Sequence, residues 1–180
     1  MVFKAEELLK ELQQLVNSHI EFTESLNKLS EIDLQKKENE KSWSVVECLE
    51  HLNLYAAFYN KEIEKQLQNS KIPKSDEFKS GFFGNKFALD MLPREGMKTM
   101  NTFKSKNPIY SKLNTKEVVN NFVNNQKKLV ELLELAEEKN VTKIKTAITL
   151  PLLKFRLGDT FRFVIYHNER HIVQAKKLLK

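Results

Sequence analysis

Apolar residues recur at helical spacing in four long stretches of the chain. Over residues 4–30, Leu8, Leu12, Leu15, His19, Phe22 and Leu26 fall on one 3.6-residue stripe. A second stretch opens at Ser44. There Ser44-Val45-Val46-Glu47 has the form of a capping box, and Trp43 is placed to pack back on Cys48. Its inner face would hold Cys48, Leu52, Tyr55, Phe58, Tyr59 and Ile63, with His51 alongside. A third begins near Asn114 or Thr115 and carries Val119, Phe122, Gln126, Leu129, Val130, Leu133 and Ala136. The fourth is expected after Gly158, capped by Asp159, with Phe161, Val164, His167, His171, Ala175 and Leu178 on its inner face.

The residues that break helices are few and clustered. Of four glycines and four prolines, six fall between Pro73 and Pro108, and the other two are Pro151 and Gly158. Sandwich and doubly wound folds need many more turns, so the pattern predicts an all-α fold, a four-helix bundle. Residues 71–113 are too long for a plain bundle loop and contain Phe78, Phe82, Phe83 and Phe87, so this segment should pack. A short helix is expected around Phe83–Asp90, and a short extended segment within residues 143–150. A crossover of this length lets the second and third helices run parallel. The 180 residues fit one domain, spanning 1–180.

Composition narrows the setting. No run approaches the length of a membrane span, and the acids Glu6 and Glu7 stand where a secretory leader needs apolar residues. The single cysteine, Cys48, has no disulfide partner within the chain, which fits a reducing cytoplasm. The net charge of +6 is uneven. Residues 71–116 hold ten bases against four acids, which is the whole excess, while the rest of the chain balances. An anionic partner would use such a segment. A solvated lysine-rich loop is the favoured reading, since charge balance speaks to solubility more than to site chemistry, and with Arg94 as its one arginine, nucleic acid is disfavoured.

The chemistry lies in the histidines. His167 and His171 stand at i and i+4, one above the other on one helix face, a spacing that lets both reach one metal ion. Both fall on the apolar stripe, where neutral imidazoles cost several kcal/mol unless something satisfies them. His51 is the third candidate, about 10 Å into its own helix, level with the pair whichever way the two helices run. Three nitrogen ligands leave coordination positions open, which suggests a catalytic ion. Glu47, one turn before His51, is either the reciprocal half of the capping box or a general base. His19, on the first stripe, reads as a core histidine.

Trp43-Ser44-Val45-Val46-Glu47-Cys48-Leu49-Glu50-His51-Leu52 resembles the W-S-x-x-E-x-x-x-H-L signature of the DinB/YfiT-like superfamily. Tyr166–Ala175, with its H-x-x-x-H and following Gln174, is similar to that superfamily's last helix. The resemblance implies an up-down-down-up four-helix bundle and a metal triad of His51, His167 and His171 holding nickel or zinc. It also implies a metalloenzyme, in some members a transferase of a low-molecular-weight thiol such as bacillithiol. A metal-dependent hydrolase, and a non-catalytic stress-related bundle with a structural metal, fit the same residues. The expected partner is a small-molecule substrate, with no membrane; homodimerisation stays open.

Overall fold

The computed structural model describes residues 1–94 and 101–179. Glu95, Gly96 and Lys98, counted above within the crossover, and Lys180 lie outside the described residues. The fold is mostly helical with few, short strands. In chain order the elements are β1 (Val2–Lys4), α1 (Ala5–Ser25), α2 (Glu31–Gln35), α3 (Val45–Asn69), β2 (Glu77–Lys79), α4 (Phe82–Met91), α5 (Thr115–Ala136), β3 (Lys145–Ala147), β4 (Lys154–Arg156) and α6 (Leu157–Leu178). No helix among the described residues is long and apolar enough to cross a membrane.

The four long helices α1, α3, α5 and α6 correspond to the four apolar stripes. α1 stops at Ser25 rather than Ser30, because Ser30 caps α2 instead, its hydroxyl accepting from the Asp33 N–H at 3.2 Å. The buried stripe of α1 runs Leu8, Leu12, Val16, His19 and Thr23, while Leu15 and Phe22 are only half-buried. This helix packs against both α5 and α6, so its apolar face is broader than one row.

Side-chain pairings give the relative directions of neighbouring helices. The rings of His51 and Tyr59 on α3 meet those of His171 and Phe163 on α6, so these two helices run oppositely. Asn53 bonds the Val118 carbonyl, Asn60 the Asn125 carbonyl, and Glu64 pairs with Lys128, so α3 and α5 run the same way. Gln13 bonds Glu134 while Lys127 pairs with Glu24, so α1 opposes α5. The parallel course of α3 and α5 is what the long connection between them makes room for.

The crossover packs, as its phenylalanines suggest. β2 pairs antiparallel with β1, placing Phe78 opposite Phe3, and the two rings stack at 5.7 Å. Phe78 is fully buried and lies on Gly158, where a Cβ would come within 2.6 Å of the ring. This contact corrects the expected start of the last helix. α6 begins at Leu157, so Gly158 lies inside it, present for close approach rather than as a boundary. Asp159 is likewise not its cap. The buried Asp159 carboxylate accepts from the Ser80 hydroxyl, from the Gly81 N–H at 2.7 Å, and from Arg162 Nη1 at 3.3 Å, tying the entry of α4 to α6. Arg162, 2% exposed, also donates to Asn85 Oδ1 at 2.9 Å. α4 covers the helix expected around Phe83–Asp90. β3 falls within the expected extended segment and pairs with β4, Thr146 facing Phe155.

The buried apolar residues form two clusters. One contains Leu12, Tyr59, Leu129 and Phe161; the other contains Cys48, Leu52, Phe122 and Ile172. On α3 and α6 the seam between them falls at residues 51–55 and 167–171, where the histidines lie.

Candidate metal centre

The start of α3 is set by its cap. The Ser44 hydroxyl accepts from the Glu47 N–H at 3.2 Å, and the Glu47 carboxylate accepts from the Ser44 N–H at 2.8 Å, so both halves of the capping box form. The other Glu47 oxygen accepts from Lys37 Nζ at 2.6 Å. Glu47 therefore stands one turn from His51 with both oxygens engaged. The cap aims His51, two turns on, at α6. Trp43, just before the cap, packs against the cluster containing Cys48, and its ring lies 4.6 Å from that of His51 and 5.5 Å from that of His171.

The opposed directions of α3 and α6 bring His51, His167 and His171 together. Their ring centroids are 5.1, 4.7 and 4.8 Å apart, and one nitrogen from each lies within 4.8 Å of the other two. His51 Nε2 is 3.2 Å from His167 Nε2. Two nitrogens about 2.05 Å from a tetrahedral ion stand about 3.3 Å apart, so this pair already has the spacing of one coordination edge. The outer nitrogens are fixed from outside the cluster. His51 Nδ1–H donates to the Lys106 carbonyl at 2.7 Å, and His171 Nδ1–H donates to Gln174 Oε1 at 3.0 Å. A carbonyl only accepts, so each bond places the proton on Nδ1 and leaves the Nε2 lone pair facing inward. Such a set suits a borderline divalent ion.

Electrostatics favour the ligand form. Burial is the main cause holding all three histidines neutral: His51 is lowered to about 4, His171 to about 3, and His167 well below its ordinary value. Mutual repulsion adds to this, His51 acting on His171 and both acting on His167. Cys48, one turn before His51, is fully buried and its thiol is pushed up to about 12 by desolvation, which makes it a core residue and no thiolate.

The profile of the DinB superfamily matches residues 14–175, from within α1 to the end of the ligand helix. The chain belongs to the DinB superfamily. No curated protein and no solved structure matches it. In this DinB-superfamily chain the three histidines singled out by sequence converge in one place and could hold a metal ion. His19 does not join them. It is fully buried, and its Nε2 lies 2.8 Å from Glu169 Oε2 on the side of α6 that faces α1. Lys106 was missed, because its contribution is a backbone carbonyl delivered by a 3₁₀ turn, Lys104–Lys106, fifty-five residues from His51. The aromatic residues at helical spacing, Tyr55 and Phe163, could have been found as its walls: Tyr55 lies 5.0 Å from both His51 and His167, and Phe163 stacks on His167 at 6.3 Å.

Proposed function

We propose that this DinB-superfamily chain is a metal-dependent enzyme whose His51, His167 and His171 hold one divalent ion, nickel or zinc. The observation that carries the reading is the inward-facing set of neutral imidazole nitrogens, two of them already at coordination spacing. The arrangement of helices supports the up-down-down-up four-helix bundle of a single domain, with α3 and α6 supplying the ligands. The absence of a carboxylate or thiolate from the three-histidine cluster, among the described residues, favours open coordination positions and so a reacting ion over a structural one.

When bound, the ion supplies positive charge that lowers the pKa of a thiol or a water beside it. The chain's own residues do the rest. Lys106 and Gln174 hold two imidazoles in the ligating tautomer. Trp43, Tyr55 and Phe163 pack around the rings and keep bulk water from them. Glu47 holds the helix that aims His51, and with both oxygens bonded it is read as a positioning group rather than the base. The reaction we favour is S-transfer of a low-molecular-weight thiol to a small-molecule substrate in the cytoplasm.

The metal site is tested by elemental analysis of protein purified without added metal. The expected content is one divalent ion per chain, and loss of a direct ligand in His171→Ala should weaken affinity by roughly 10-fold or more. Full stoichiometry in that variant would refute the triad. The reaction is tested by thiol conjugation with and without chelator. A chelator-insensitive rate, or no conjugation by fully loaded protein, would refute the transferase.

A further inference from the structure

Three successive residues of the ligand helix reach three other helices. His167 faces His51 on α3. Asn168 donates from Nδ2 to Gln126 Oε1 on α5 at 3.1 Å, and both residues are buried. α5 and α6 each pack along both α1 and α3, so this bond crosses the core between them. Glu169 accepts from the Nε2–H of His19 on α1 at 2.8 Å. His19 is fully buried and its Nδ1 has no partner among the described residues, so this bond is the ring's one hydrogen bond there. At about 100° per residue, Glu169 lies opposite the mean direction of His167 and His171, and Asn168 lies about 80° to one side of that direction.

Neither bond is needed to fill the core. Apolar side chains at these positions would pack without the cost of desolvating two amides, an imidazole and a carboxylate. What the polar pairs add is direction. Apolar contact is non-directional and tolerates small rotations of a helix, whereas a hydrogen bond weakens steeply as its angle falls. The candidate centre is sensitive to such a rotation. A turn of α6 by about 10° moves each Cα, at about 2.3 Å from the axis, by about 0.4 Å, and it moves the ring nitrogens, further out, by more. Metal–nitrogen distances tolerate only about 0.2 Å.

On the reading that the triad holds a divalent ion, we propose that Asn168 and Glu169, anchored by Gln126 and His19, are positioning residues that fix the rotation of α6 and so aim both of its ligands at His51. The two bonds act from the flank and from the back of the helix, at the level of the ligands themselves. His171, one turn from His167, is carried by the same rotation, so both imidazoles keep their place relative to His51 only while the helix is held. Loss of this hold weakens metal affinity about 10-fold, the lower end of the range for groups that orient metal ligands.

The test uses the full chain at pH 8 with nickel, its affinity read by competition with a chelator and its geometry by ligand-field absorption. Asn168→Leu combined with Gln126→Met replaces both partners by apolar groups of similar shape, so neither is left buried without the other. This double variant should keep near wild-type stability in urea, yet hold nickel about 10-fold more weakly and with a shifted absorption band. His19→Leu should lose affinity similarly, because the half-buried Glu169 turns to water, and His19→Gln, which keeps an N–H donor, should restore most of it. Asn60→Leu removes a buried bond between α3 and α5 that does not involve α6, and it should lower stability without changing nickel affinity or spectrum. Wild-type affinity and spectrum in either the double variant or His19→Leu, no recovery in His19→Gln, or an equal loss in Asn60→Leu would overturn the assignment. Failure of the unmodified chain to take up nickel would instead remove the metal site on which it rests.

Discussion

Acidification should separate the metal-free and metal-loaded forms, and the size of the effect follows from the buried histidines. The perturbation is a drop from pH 8 to pH 5. In the unfolded chain each imidazole titrates near pH 6.5, whereas burial lowers His51 to about 4 and His171 to about 3. A folded value below the unfolded one means that the unfolded state binds more protons below pH 6.5, so stability present above that pH is lost as pH falls. At pH 5 both folded values are already well below ambient, so the loss is set by the unfolded value: about 2 kcal/mol for each, about 4 kcal/mol together. His167 adds in the same direction. Against a total stability of about 5–15 kcal/mol this is large, and for a chain of this size about 4 kcal/mol corresponds to roughly 8–16 °C in Tm. The loaded protein starts higher by RT ln(1 + [L]/Kd) and must also give up its ion as protons compete for the nitrogens, so its curve should fall more steeply between about pH 6 and about pH 4. The assay is urea unfolding across pH, with nickel and with chelator. A chelated protein equally stable at pH 7 and pH 5 would refute the buried neutral imidazoles. Parallel curves with and without metal would refute the histidines as ligands.

Three further substitutions probe the frame around the site. Ser44→Ala removes the hydroxyl that accepts from the Glu47 N–H and should cost about 1 kcal/mol in urea unfolding; an unchanged midpoint would contradict the cap. Gly158→Ala drives a methyl to 2.6 Å from the buried Phe78 ring, so it should cost about 1–3 kcal/mol by thermal melting, and a neutral result would mean that β2 does not pack there. Arg162→Met leaves the fully buried Asp159 carboxylate without its cation and should cost about 3–5 kcal/mol, whereas Arg162→Met combined with Asp159→Asn should recover part of that loss in the same assay.

What could be read from the sequence was local. The Ser44–Glu47 cap and the His167–His171 pair are set by residues within one or two helical turns and appear where the spacing puts them; the four stripes mark the four long helices, though in α1 the buried row runs through Val16 and Thr23, with Leu15 and Phe22 only half-buried. What escaped is carried between distant segments. Gly158 looked like a boundary because glycine usually ends helices; only Phe78, eighty residues earlier, shows that it is needed for close packing. Asp159 had the position of a cap, but its carboxylate serves the entry of α4 instead. Arg162 sits one residue from a core phenylalanine and would pass as a surface residue, yet the crossover buries it against Phe3, whose ring lies 4.7 Å from its guanidinium. Each of these errors concerns the crossover, whose short strands and 3₁₀ turn have no periodicity of their own to signal where they dock.

The same long-range contacts decide whether three histidines on a seam become a binding site. A neutral imidazole has one proton and one lone pair, so which nitrogen faces the cluster depends on what the other nitrogen meets. For His171 the answer is local, since Gln174 lies one turn along α6. For His51 it is not: without the Lys106 carbonyl, nothing among its described contacts would fix the proton on Nδ1 and turn the Nε2 lone pair toward His167. The crossover thus contributes to the site without contributing a ligand side chain. The orientation of His51 in the candidate centre therefore depends on the turn at Lys104–Lys106 as well as on the helix that carries it.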